Sequence, residues 1–334
     1  MNPAEQVLQV ATGYMASSAL YVAVNLNIAD HLASGPKTAA ELANTTGMND
    51  DALYRVLRLL ASLGIFAETA PKTFALNPAA ELLRSNVPHS LRSMAFFLPD
   101  PFHYRIFANI MDAVKTGIPA SQTTLGMPVF KYLEGDQAYS KIFNDAMTAL
   151  SAPVAGAALE AYDFSGIGTL VDVAGGHGEL LMSILKAHPR MRGIVCDLEH
   201  VIAGARPRIA AAGLSDRLQA AACDFFTSVP EGGDAYIMKN IIHDWYDDKA
   251  RLILHTIAKA MGGKKGKVIL LEPVVTSTGG PDFAKFIDIE MLMFPGGKER
   301  TAEEFSALFA SAGFALTRIV PTKSPLLVIE AVRA

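Results

Sequence analysis

The C-terminal half of the chain alternates short apolar runs with longer stretches in which apolar residues recur at helical spacing. The apolar runs begin after Gly168 and read TLVDVA, GIVCD, LQAAACDFF, AYIMKNII, KVILLEP, LTRIVP and LLVIEAV. This alternation predicts an α/β domain at residues 166–334, with helices on both faces of a mostly parallel, seven-stranded sheet. Because the last two runs lie close together, we expect them to form an antiparallel hairpin at the end of the sheet.

Residues 1–100 show helical spacing without such strands. Thr38 is followed three residues later by Glu41, which is typical of a helix N-terminus, and Leu53, Leu57 and Leu60 share one face of a second helix. The segment FAETAPKTFAL follows, so the pattern predicts a helix-turn-helix with the hairpin of a winged helix. Proline and glycine interrupt residues 101–165, where we expect a connector of helices and loops.

The charge of the chain argues against nucleic acid as a partner. The formal net charge is -4 and the pI is about 6.1, whereas the phosphate backbone is bound by clustered Lys and Arg. Asp50 and Asp51 begin the second predicted helix, which would face phosphates with the wrong sign. We therefore expect a packing or dimerisation module here. A helix-turn-helix regulator with a ligand-sensing domain is the alternative from a different class of protein.

No charged residue occurs from Gln6 to Ala29, a length that would span a bilayer if it were uniformly apolar. Four amide side chains interrupt it, and no Lys or Arg precedes Lys37, so neither a membrane span nor a signal peptide is expected. We expect instead an apolar helix that is buried against another helix or another subunit. The two cysteines, Cys196 and Cys223, end apolar runs in different predicted strands, which suits reduced thiols in a cytoplasmic protein.

The segment LVDVAGGHGELLMSIL reads as a strand, a glycine turn and a helix. Gly175, Gly176 and Gly178 would let a ligand approach the backbone beside the free N–H groups of a helix start. The turn is not a P-loop, because no Gly-Lys-Ser/Thr follows it. Leu181 stands where a dinucleotide fingerprint has its third glycine, which disfavours a nicotinamide-dependent oxidoreductase.

Acidic residues end the next two apolar runs. Asp197 stands where parallel sheets place a carboxylate on ribose hydroxyls, and Asp224 with Phe225 stands where an adenine edge and face would lie. Each aspartate alone is equally well explained as a solvated residue at a strand end, and the glycines as a plain tight turn. Three strand ends at one crevice together predict a nucleoside site.

Six motifs in a fixed order make the chain similar to a class of S-adenosylmethionine-dependent O-methyltransferases. The motifs are DVAGGHG, DLEHVI, CDFF, MKNIIHDWYDD, VILLEP and FPGGKERTAEEF. The class includes plant caffeate and isoflavone O-methyltransferases, acetylserotonin O-methyltransferase and many bacterial natural-product enzymes, and the likeness covers nearly the whole chain. It implies a Rossmann-like methyltransferase domain, a winged-helix dimerisation domain, a homodimer, and S-adenosylmethionine as the cofactor.

The resemblance also implies the residues of the cofactor site. They are Asp172, Gly175, Gly176, Asp197, Leu198, Asp224, Phe225 and Lys239. By this likeness the two glycines approach the methionyl part of the cofactor, Asp197 the ribose, and Asp224 with Phe225 the adenine. Ala174, Glu199 and Cys223 stand where the family usually has glycine, proline and glycine, at the rim of the site.

The same resemblance implies that His243 is the general base and that Glu272 and Glu299 flank it. Methyl transfer from a sulfonium is an in-line displacement whose nucleophile must lose a proton. A phenol has a pKa near 10 and an imidazole one of about 6.5, so proton transfer concerted with methyl attack avoids an uphill deprotonation. We expect Glu299 to hold the far ring nitrogen of His243. The residues expected to contact a small aromatic acceptor are Phe143, Met147, Asp244 and Met291.

Three alternatives to this catalytic role of His243 follow from its neighbours and its family. The histidine is a plain structural hydrogen-bonder, or it holds a metal together with Asp244, Asp247 and Asp248. We expect no metal, because N-capping of the helix DKARLILHTIAKAM explains at least one of the last two aspartates. Relatives that keep the cofactor but catalyse a reaction such as hydroxylation are the remaining alternative, and the intact His243 with both glutamates speaks against it.

Overall fold

The structure is a computed structural model, and it describes residues 2–276, 278–280 and 282–334. Two compact units make up the chain. The N-terminal unit runs to Ala108 and also includes Ala138–Leu150, while the C-terminal unit comprises Asn109–Gln137 and Ser151–Ala334.

The first half of the chain is mainly helical. Its helices are α1 (Pro3–Ala11), α2 (Gly13–Asn25), α3 (Ile28–His31), α4 (Ala39–Thr46), α5 (Asp50–Ser62), α6 (Pro78–Glu81), α7 (Arg92–Phe97), α8 (Pro101–Phe107), α9 (Ile110–Thr116), α10 (Ala120–Leu125), α11 (Val129–Gly135) and α12 (Gln137–Ala161). The helix α4 begins where it was predicted, because the hydroxyl of Thr38 accepts from the N–H of Glu41 and the Glu41 side chain accepts from the N–H of Thr38.

The chain before and after the helix pair α4 and α5 forms a small antiparallel sheet, with one strand before the pair and two after it. Its strands are β1 (Lys37–Thr38), β2 (Ala67–Ala70) and β3 (Thr73–Ala75), in the order β1-β3-β2. The predicted hairpin over FAETAPKTFAL is therefore confirmed. Leu42 of α4, Leu57 of α5 and Phe74 of β3 are fully buried in one core, which fixes the hairpin against the helix pair.

The uncharged segment near the N-terminus, where we expected one helix, forms most of α1, all of α2 and the start of α3. The hydroxyl of Thr12 donates to the carbonyl of Leu8, a side-chain bond that competes with the helix ladder, and the axes of α1 and α2 meet at 44°. Burial is confirmed for α2, through Ala19, Ala23 and Val24, whereas α1 buries no residue within this chain. In the part of the chain that the structure describes, no single helix is long and apolar enough to cross a membrane, although the bent pair α1 and α2 meets that criterion by length and composition.

The C-terminal unit contains the predicted large sheet. Its strands are β4 (Thr169–Val173), β5 (Arg192–Asp197), β6 (Leu218–Ala222), β7 (Ala235–Lys239), β8 (Lys267–Glu272), β9 (Phe314–Val320) and β10 (Leu327–Arg333). The helices that alternate with them are α13 (Glu179–Ala187), α14 (Glu199–Ala211), α15 (Asp247–Ala260), α16 (Phe283–Met293) and α17 (Ala302–Ser311).

The strand order is β6-β5-β4-β7-β8-β10-β9. The first five strands are parallel, β10 pairs antiparallel with both β8 and β9, and the predicted fold class is therefore confirmed. The order reverses between β4 and its two neighbours β5 and β7, which makes the carboxyl end of β4 the switch point where such sheets bind ligands.

Alternate residues of the strands enter two separate cores. Leu170 and Ile237 pack on the face covered by α13 and α14, while Val171 and Met238 pack on the face covered by α15 and α17. All four side chains are fully buried. Burial on both faces explains why the strands read as continuous apolar runs in the sequence.

Candidate active site

The glycine turn after β4 lies at the switch point of the sheet. Ala174, Gly176 and Gly178 have positive φ angles of 56°, 58° and 80°, so the backbone turns sharply between β4 and α13. A Cβ on Gly175 would lie 2.6 Å from Oδ2 of Asp172, whereas a Cβ on Gly176 would meet no atom within 4 Å. The turn therefore needs glycine at 175 for space inside the protein, and it presents an open backbone at 176.

Asp172, in β4, is a buried acidic residue at this end of the sheet. It is 1% exposed, and its Oδ2 atom has no hydrogen-bond partner among the residues that the structure describes. Burial raises the pKa of Asp172 to about 7, against the opposing charge of Lys239. A buried carboxylate oxygen without a donor is a suitable contact for a cationic or amino group of a ligand.

Asp197 connects the glycine turn to the next strand. Its Oδ2 accepts from the N–H of Gly176 at 2.9 Å, and its Oδ1 accepts from the N–H of Leu198 at 2.7 Å. Burial raises the pKa of Asp197, and these two backbone donors oppose that shift. The aspartate that the sequence assigns to the ribose thus also fixes the turn that the sequence assigns to the methionyl group.

An aromatic cluster follows β6. Phe225 lies 4.7 Å from Phe226 and 6.1 Å from Trp245, measured between ring centroids. Asp224 is exposed at this rim, where its Oδ1 accepts from the N–H of Phe226. Sequence reasoning missed Trp245, whose indole Nε1 is buried without a partner among the described residues, although it lies inside the motif MKNIIHDWYDD.

His243 lies in a 3-10 turn, Ile242–Asp244, which we call the histidine turn, shortly after the carboxyl end of β7. The turn is held by Glu272 at the end of β8, because Oε1 of Glu272 accepts from the N–H groups of Ile241 and Ile242, each at 2.9 Å. The neighbouring strand thus fixes the backbone that carries the histidine. The other carboxylate oxygen of Glu272, Oε2, lies 3.5 Å from Nδ1 of His243.

Glu299 makes the shortest contact with the histidine. Its Oε1 lies 2.6 Å from Nδ1 of His243, as the sequence led us to expect, and both residues are buried, at 4% and 5% exposure. The loop that carries Glu299 approaches the histidine turn through Lys298, whose N–H donates to the carbonyl of His243 at 2.9 Å. A Cβ on Gly297 would lie 1.8 Å from that carbonyl oxygen, so only glycine permits this approach.

Several charges around His243 set its proton affinity. Burial by itself lowers the pKa of His243, but the charges of Glu272 and Asp244 and the hydrogen bond with Glu299 outweigh it and raise the pKa to about 10. Burial raises the pKa of both Glu299 and Asp244 to about 7. Oδ1 of Asp244 lies 3.5 Å from Nε2, on the side of the ring opposite Glu299.

Lys239 interacts electrostatically with residues near the glycine turn and with residues near the histidine turn. It ends β7, and burial lowers the pKa of its ammonium group, while the charges of Asp172, Glu272 and Asp244 oppose that shift. Asp172 belongs to the glycine-turn end and the other two to the histidine end. The structure therefore brings the predicted cofactor residues and the predicted catalytic residues together at one edge of the sheet.

The sequence analysis did not identify Arg300 as a site residue, although it is adjacent to Glu299. It is fully buried and donates to the carbonyls of Ile242 and Trp245 at 3.1 and 2.8 Å. Its guanidinium also binds Oδ1 of Asp247 at 2.7 Å. The expectation that Asp247 or Asp248 caps α15 is wrong, because the N-cap is Tyr246, no side chain caps this helix, and the Asp247 carboxylate is taken by Arg300.

The predicted acceptor residues are divided between the two units. Met291 is 7% exposed in α16, and the same helix carries Asp288, whose Oδ1 accepts from the N–H of Glu299 at 2.8 Å. Phe143 and Met147 lie half-buried on α12 in the N-terminal unit, where Phe143 packs edge-on to Phe97. Their contact with an acceptor stays a prediction.

A metal would find a different set of residues from the one that the sequence suggested. Among the described residues, the group with ligand atoms within 4.8 Å of one another is His243, Glu272 and Glu299. The 2.6 Å separation of Nδ1 and Oε1 is that of a short, charge-assisted hydrogen bond. A metal bound by both atoms would have to replace that hydrogen bond.

Comparison with known proteins identifies the family. A family model described as the O-methyltransferase domain matches residues 107–315, and one described as the O-methyltransferase dimerisation domain matches residues 8–86. The chain belongs to this O-methyltransferase family. The phenazine O-methyltransferase PhzM of Lysobacter antibioticus is 42% identical over 325 residues, which are 97% of this chain and 95% of that protein.

Solved structures agree with this assignment. The crystal structure of LaPhzM matches over 100% of both chains, with a TM-score of 0.93 and 41% identity. The O-methyltransferase NcsB1 from neocarzinostatin biosynthesis, solved with S-adenosyl-L-homocysteine and 1,4-dihydroxy-2-naphthoic acid, matches with a TM-score of 0.78 and 32% identity over 95% of this chain and 96% of that one. The chain is an S-adenosylmethionine-dependent methyltransferase, and the predicted family and cofactor are confirmed. These matches favour neither an oxidoreductase nor a DNA-binding regulator.

The cofactor end of the methyltransferase fits S-adenosylmethionine. The free Oδ2 of Asp172 suits the ammonium group of a methionyl moiety, and the open backbone at Gly176 admits a ligand beside it. The ring of Phe225, beside Trp245, offers an aromatic surface for a base. An acceptor oxygen, open space and an aromatic surface are thus present for an ammonium group, a backbone contact and a base.

Proposed function

We propose that the methyltransferase methylates a hydroxyl group, phenolic in character, of a small aromatic molecule, with His243 as the general base. The observation that supports this most directly is the buried pair of His243 and Glu299, whose Nδ1 and Oε1 atoms lie 2.6 Å apart. A buried histidine held on one nitrogen by a carboxylate is arranged to exchange a proton at its other nitrogen. The names of the phenazine enzyme and of the naphthoic acid complex support an aromatic acceptor.

We assign the cofactor contacts as the sequence suggested them. The residues are Asp172, Gly175, Gly176, Asp197, Leu198, Asp224, Phe225 and Lys239. When bound, S-adenosylmethionine would supply a methyl group to the acceptor oxygen, with the thioether S-adenosylhomocysteine as the leaving group. Asp172 would hold the amino group, Asp197 the ribose, and Asp224 with Phe225 the adenine.

The geometry around the imidazole supports one assignment of its two nitrogens. Nδ1 faces Glu299, so it carries the hydrogen that it donates to Oε1, and Nε2 is the atom that receives the proton of the acceptor hydroxyl. Glu299 then stabilises the imidazolium that forms. Glu272 holds the turn that carries the ring, through the N–H groups of Ile241 and Ile242.

The raised pKa of His243 suits this reaction. The raised pKa makes neutral His243 a stronger base toward a phenol, whose pKa is about 10, and it requires the ring to be neutral before it accepts that proton. With an unperturbed imidazole the same transfer would be uphill by about 3.5 pKa units, on the order of 5 kcal/mol. The flanking carboxylates therefore ease the proton transfer to the neutral ring, and they move the pH at which the ring becomes neutral upward.

We assign the acceptor to Phe143, Met147, Asp244 and Met291. Asp244 is next to Nε2 of His243, and Met291 is on the helix whose Asp288 holds the backbone of Glu299. Thioether and aromatic side chains adapt around flat rings, which supports this assignment. We assign no metal to the site.

We also propose that the methyltransferase is a cytoplasmic homodimer with a winged-helix dimerisation domain. The match of the dimerisation domain to residues 8–86 supports the homodimer, and the helix pair α4 and α5 with the hairpin β2–β3 supports the winged helix. The two cysteines are free thiols, which suits a reducing compartment. The proposed domains are residues 1–100, a connector at 101–165, and the catalytic domain at 166–334.

The test is a screen of small phenols, catechols and hydroxyquinones with labelled S-adenosylmethionine, with the wild type beside His243→Ala. We expect the variant to lose about 10²- to 10⁴-fold in rate while binding S-adenosylhomocysteine as the wild type does. His255→Ala is the matched control, because His255 is exposed on α15 and away from the histidine turn. Full activity of His243→Ala would contradict the role of the base, and loss of activity in a chelator would show that a metal is required.

A further inference from the structure

Gly204 is unusual for its position in α14. It lies in the interior of a helix that runs from Glu199 to Ala211, where glycine is less favourable than alanine. Its φ angle is not positive, so backbone conformation does not require glycine there. The reason must be space.

The space is taken by the ring of His177. A Cβ on Gly204 would lie 2.9 Å from both Cδ2 and Nε2 of His177, closer than real Cβ atoms approach other heavy atoms. His177 comes from the glycine turn of the cofactor site, between Gly176 and Gly178. The ring therefore lies against the helix at the one position of α14 that lacks a side chain.

This contact adds to two hydrogen bonds that also anchor the turn. The N–H of Gly176 donates to Oδ2 of Asp197 at 2.9 Å, and the N–H of Gly175 donates to the carbonyl of Cys196 at 3.2 Å. Cys196 and Asp197 end β5, and α14 begins two residues after Asp197, so all three contacts fix the turn to one continuous strand-helix segment. With positive φ angles at Gly176 and Gly178, the turn has backbone freedom that such anchors restrict.

We propose that His177 is a positioning residue that holds the glycine turn against α14 in the geometry that binds the cofactor, and that Gly204 admits its ring. The proposal rests on the cofactor site assigned above. It gives His177 no contact with the reacting atoms. A side chain at position 204 would displace the ring of His177 from α14, so that the turn loses this contact, and would weaken cofactor binding without touching the cofactor.

The test is a titration of S-adenosylhomocysteine into four proteins: the wild type, Gly204→Ala, His177→Ala and the double variant. We expect about tenfold weaker binding by Gly204→Ala, because the added methyl group displaces the His177 ring that holds the turn, and a similar loss for His177→Ala. The double variant should bind no more weakly than His177→Ala alone, since without the ring the added methyl group meets nothing. In steady-state assays the KM for S-adenosylmethionine should rise while kcat stays within about twofold of the wild type.

Gly156→Ala is the matched control, because Gly156 is also inside a helix, is exposed, and has no atom within 4 Å of its missing Cβ. It should bind S-adenosylhomocysteine as the wild type does. Thermal melting should show Gly204→Ala to be folded, so that a weaker affinity reports the turn and not unfolding. Wild-type affinity in Gly204→Ala, or losses that multiply in the double variant, would overturn the proposal. Failure of the wild type itself to bind would instead overturn the assigned cofactor site.

Discussion

At the scale of single residues, buried carboxylates hold the histidine turn, and solvent does not compensate the free-energy cost of burying their charges. Glu272 is 0% exposed, and a buried carboxylate is stable only where donors or opposite charges compensate it. The N–H groups of Ile241 and Ile242 are those donors, and His243 is the opposite charge. The structural and the electrostatic parts of Glu272 are therefore separable by substitution.

Glu272→Ala should destabilise the methyltransferase by about 3 kcal/mol, because it leaves two buried N–H groups without an acceptor. Glu272→Gln keeps an oxygen at the same place and should keep most of the stability, while it removes the negative charge beside His243. Urea unfolding of both variants measures the difference. Equal losses for the two substitutions would show that the charge, and not the acceptor atom, holds the turn.

Gly297→Ala should lower kcat by about a hundredfold, since a displacement of the base of only about 1 Å has such an effect. The new Cβ would lie 1.8 Å from the carbonyl oxygen of His243, so one of the two backbone segments must move. Gly166→Ala, with no atom within 4 Å, is the control and should leave kcat unchanged. Wild-type kcat in Gly297→Ala would mean that the close approach of the loop is not needed for catalysis.

At the scale of elements, one buried arginine holds together the segments that surround the base. Arg300 joins the loop before α17 to the carbonyls of Ile242 and Trp245 and to Asp247 at the start of α15. The planar guanidinium reaches these acceptors in several directions at once, which one ammonium group cannot do. Arg300 therefore positions the histidine turn through its backbone carbonyls.

Arg300→Lys should lower kcat by about tenfold or more through a looser histidine turn, because the exchange is not conservative at such a site. Affinity for S-adenosylhomocysteine should change little, since the glycine turn and Asp197 are not among the partners of Arg300. The comparison needs rapid-quench methyl transfer and a cofactor titration. A variant that loses cofactor affinity but keeps kcat would place Arg300 in the wrong part of the site.

The elements themselves were predictable where local chemistry decides them. Thr38 and Glu41 cap α4 as their spacing required, and the strands of the large sheet read as apolar runs because both faces are buried. The bend at Thr12 was not predictable from hydrophobicity, because it depends on the hydroxyl bond to Leu8. The capping of α15 failed because Arg300, 53 residues away along the chain, competes for Asp247.

The candidate site was predictable to a similar extent. Motif resemblance supplied His243, Glu272 and Glu299, and the structure brings these three together within a few ångströms. The parts of Gly297, Arg300 and Trp245 depend on how separate loops approach each other, which no spacing along the sequence encodes. The sequence therefore identified the residues proposed to take part in the reaction, but not the residues that hold them in place.

At the scale of the whole molecule, the N-terminal helix has an apolar surface that this chain does not cover. Val7, Leu8 and Val10 of α1 are 69%, 62% and 79% exposed, and the dimerisation-domain match begins at residue 8. An apolar helix without a partner inside its own chain is expected to bury itself against a second copy.

Analytical ultracentrifugation should therefore show a dimer, and Val7→Glu combined with Val10→Glu should shift it to monomer. The fold of each chain should be retained, because α1 buries no residue within it. Val114→Glu, at a site that is 65% exposed on α9, is the matched control and should leave the dimer intact. A dimer that survives the double substitution would place the interface elsewhere.

The most direct test of the account is the pH dependence of single-turnover methyl transfer in the wild type and in Glu299→Gln. The base must be neutral to accept a proton, and its pKa is raised to about 10, so the wild-type rate should rise with pH well beyond 6.5. Removing the Glu299 charge lowers the pKa of His243, so the rise should move to lower pH in the variant, while the ionisation of the free acceptor is unchanged. The same rise in both proteins, or a rate independent of pH from about 6 to 10, would contradict His243 as the base.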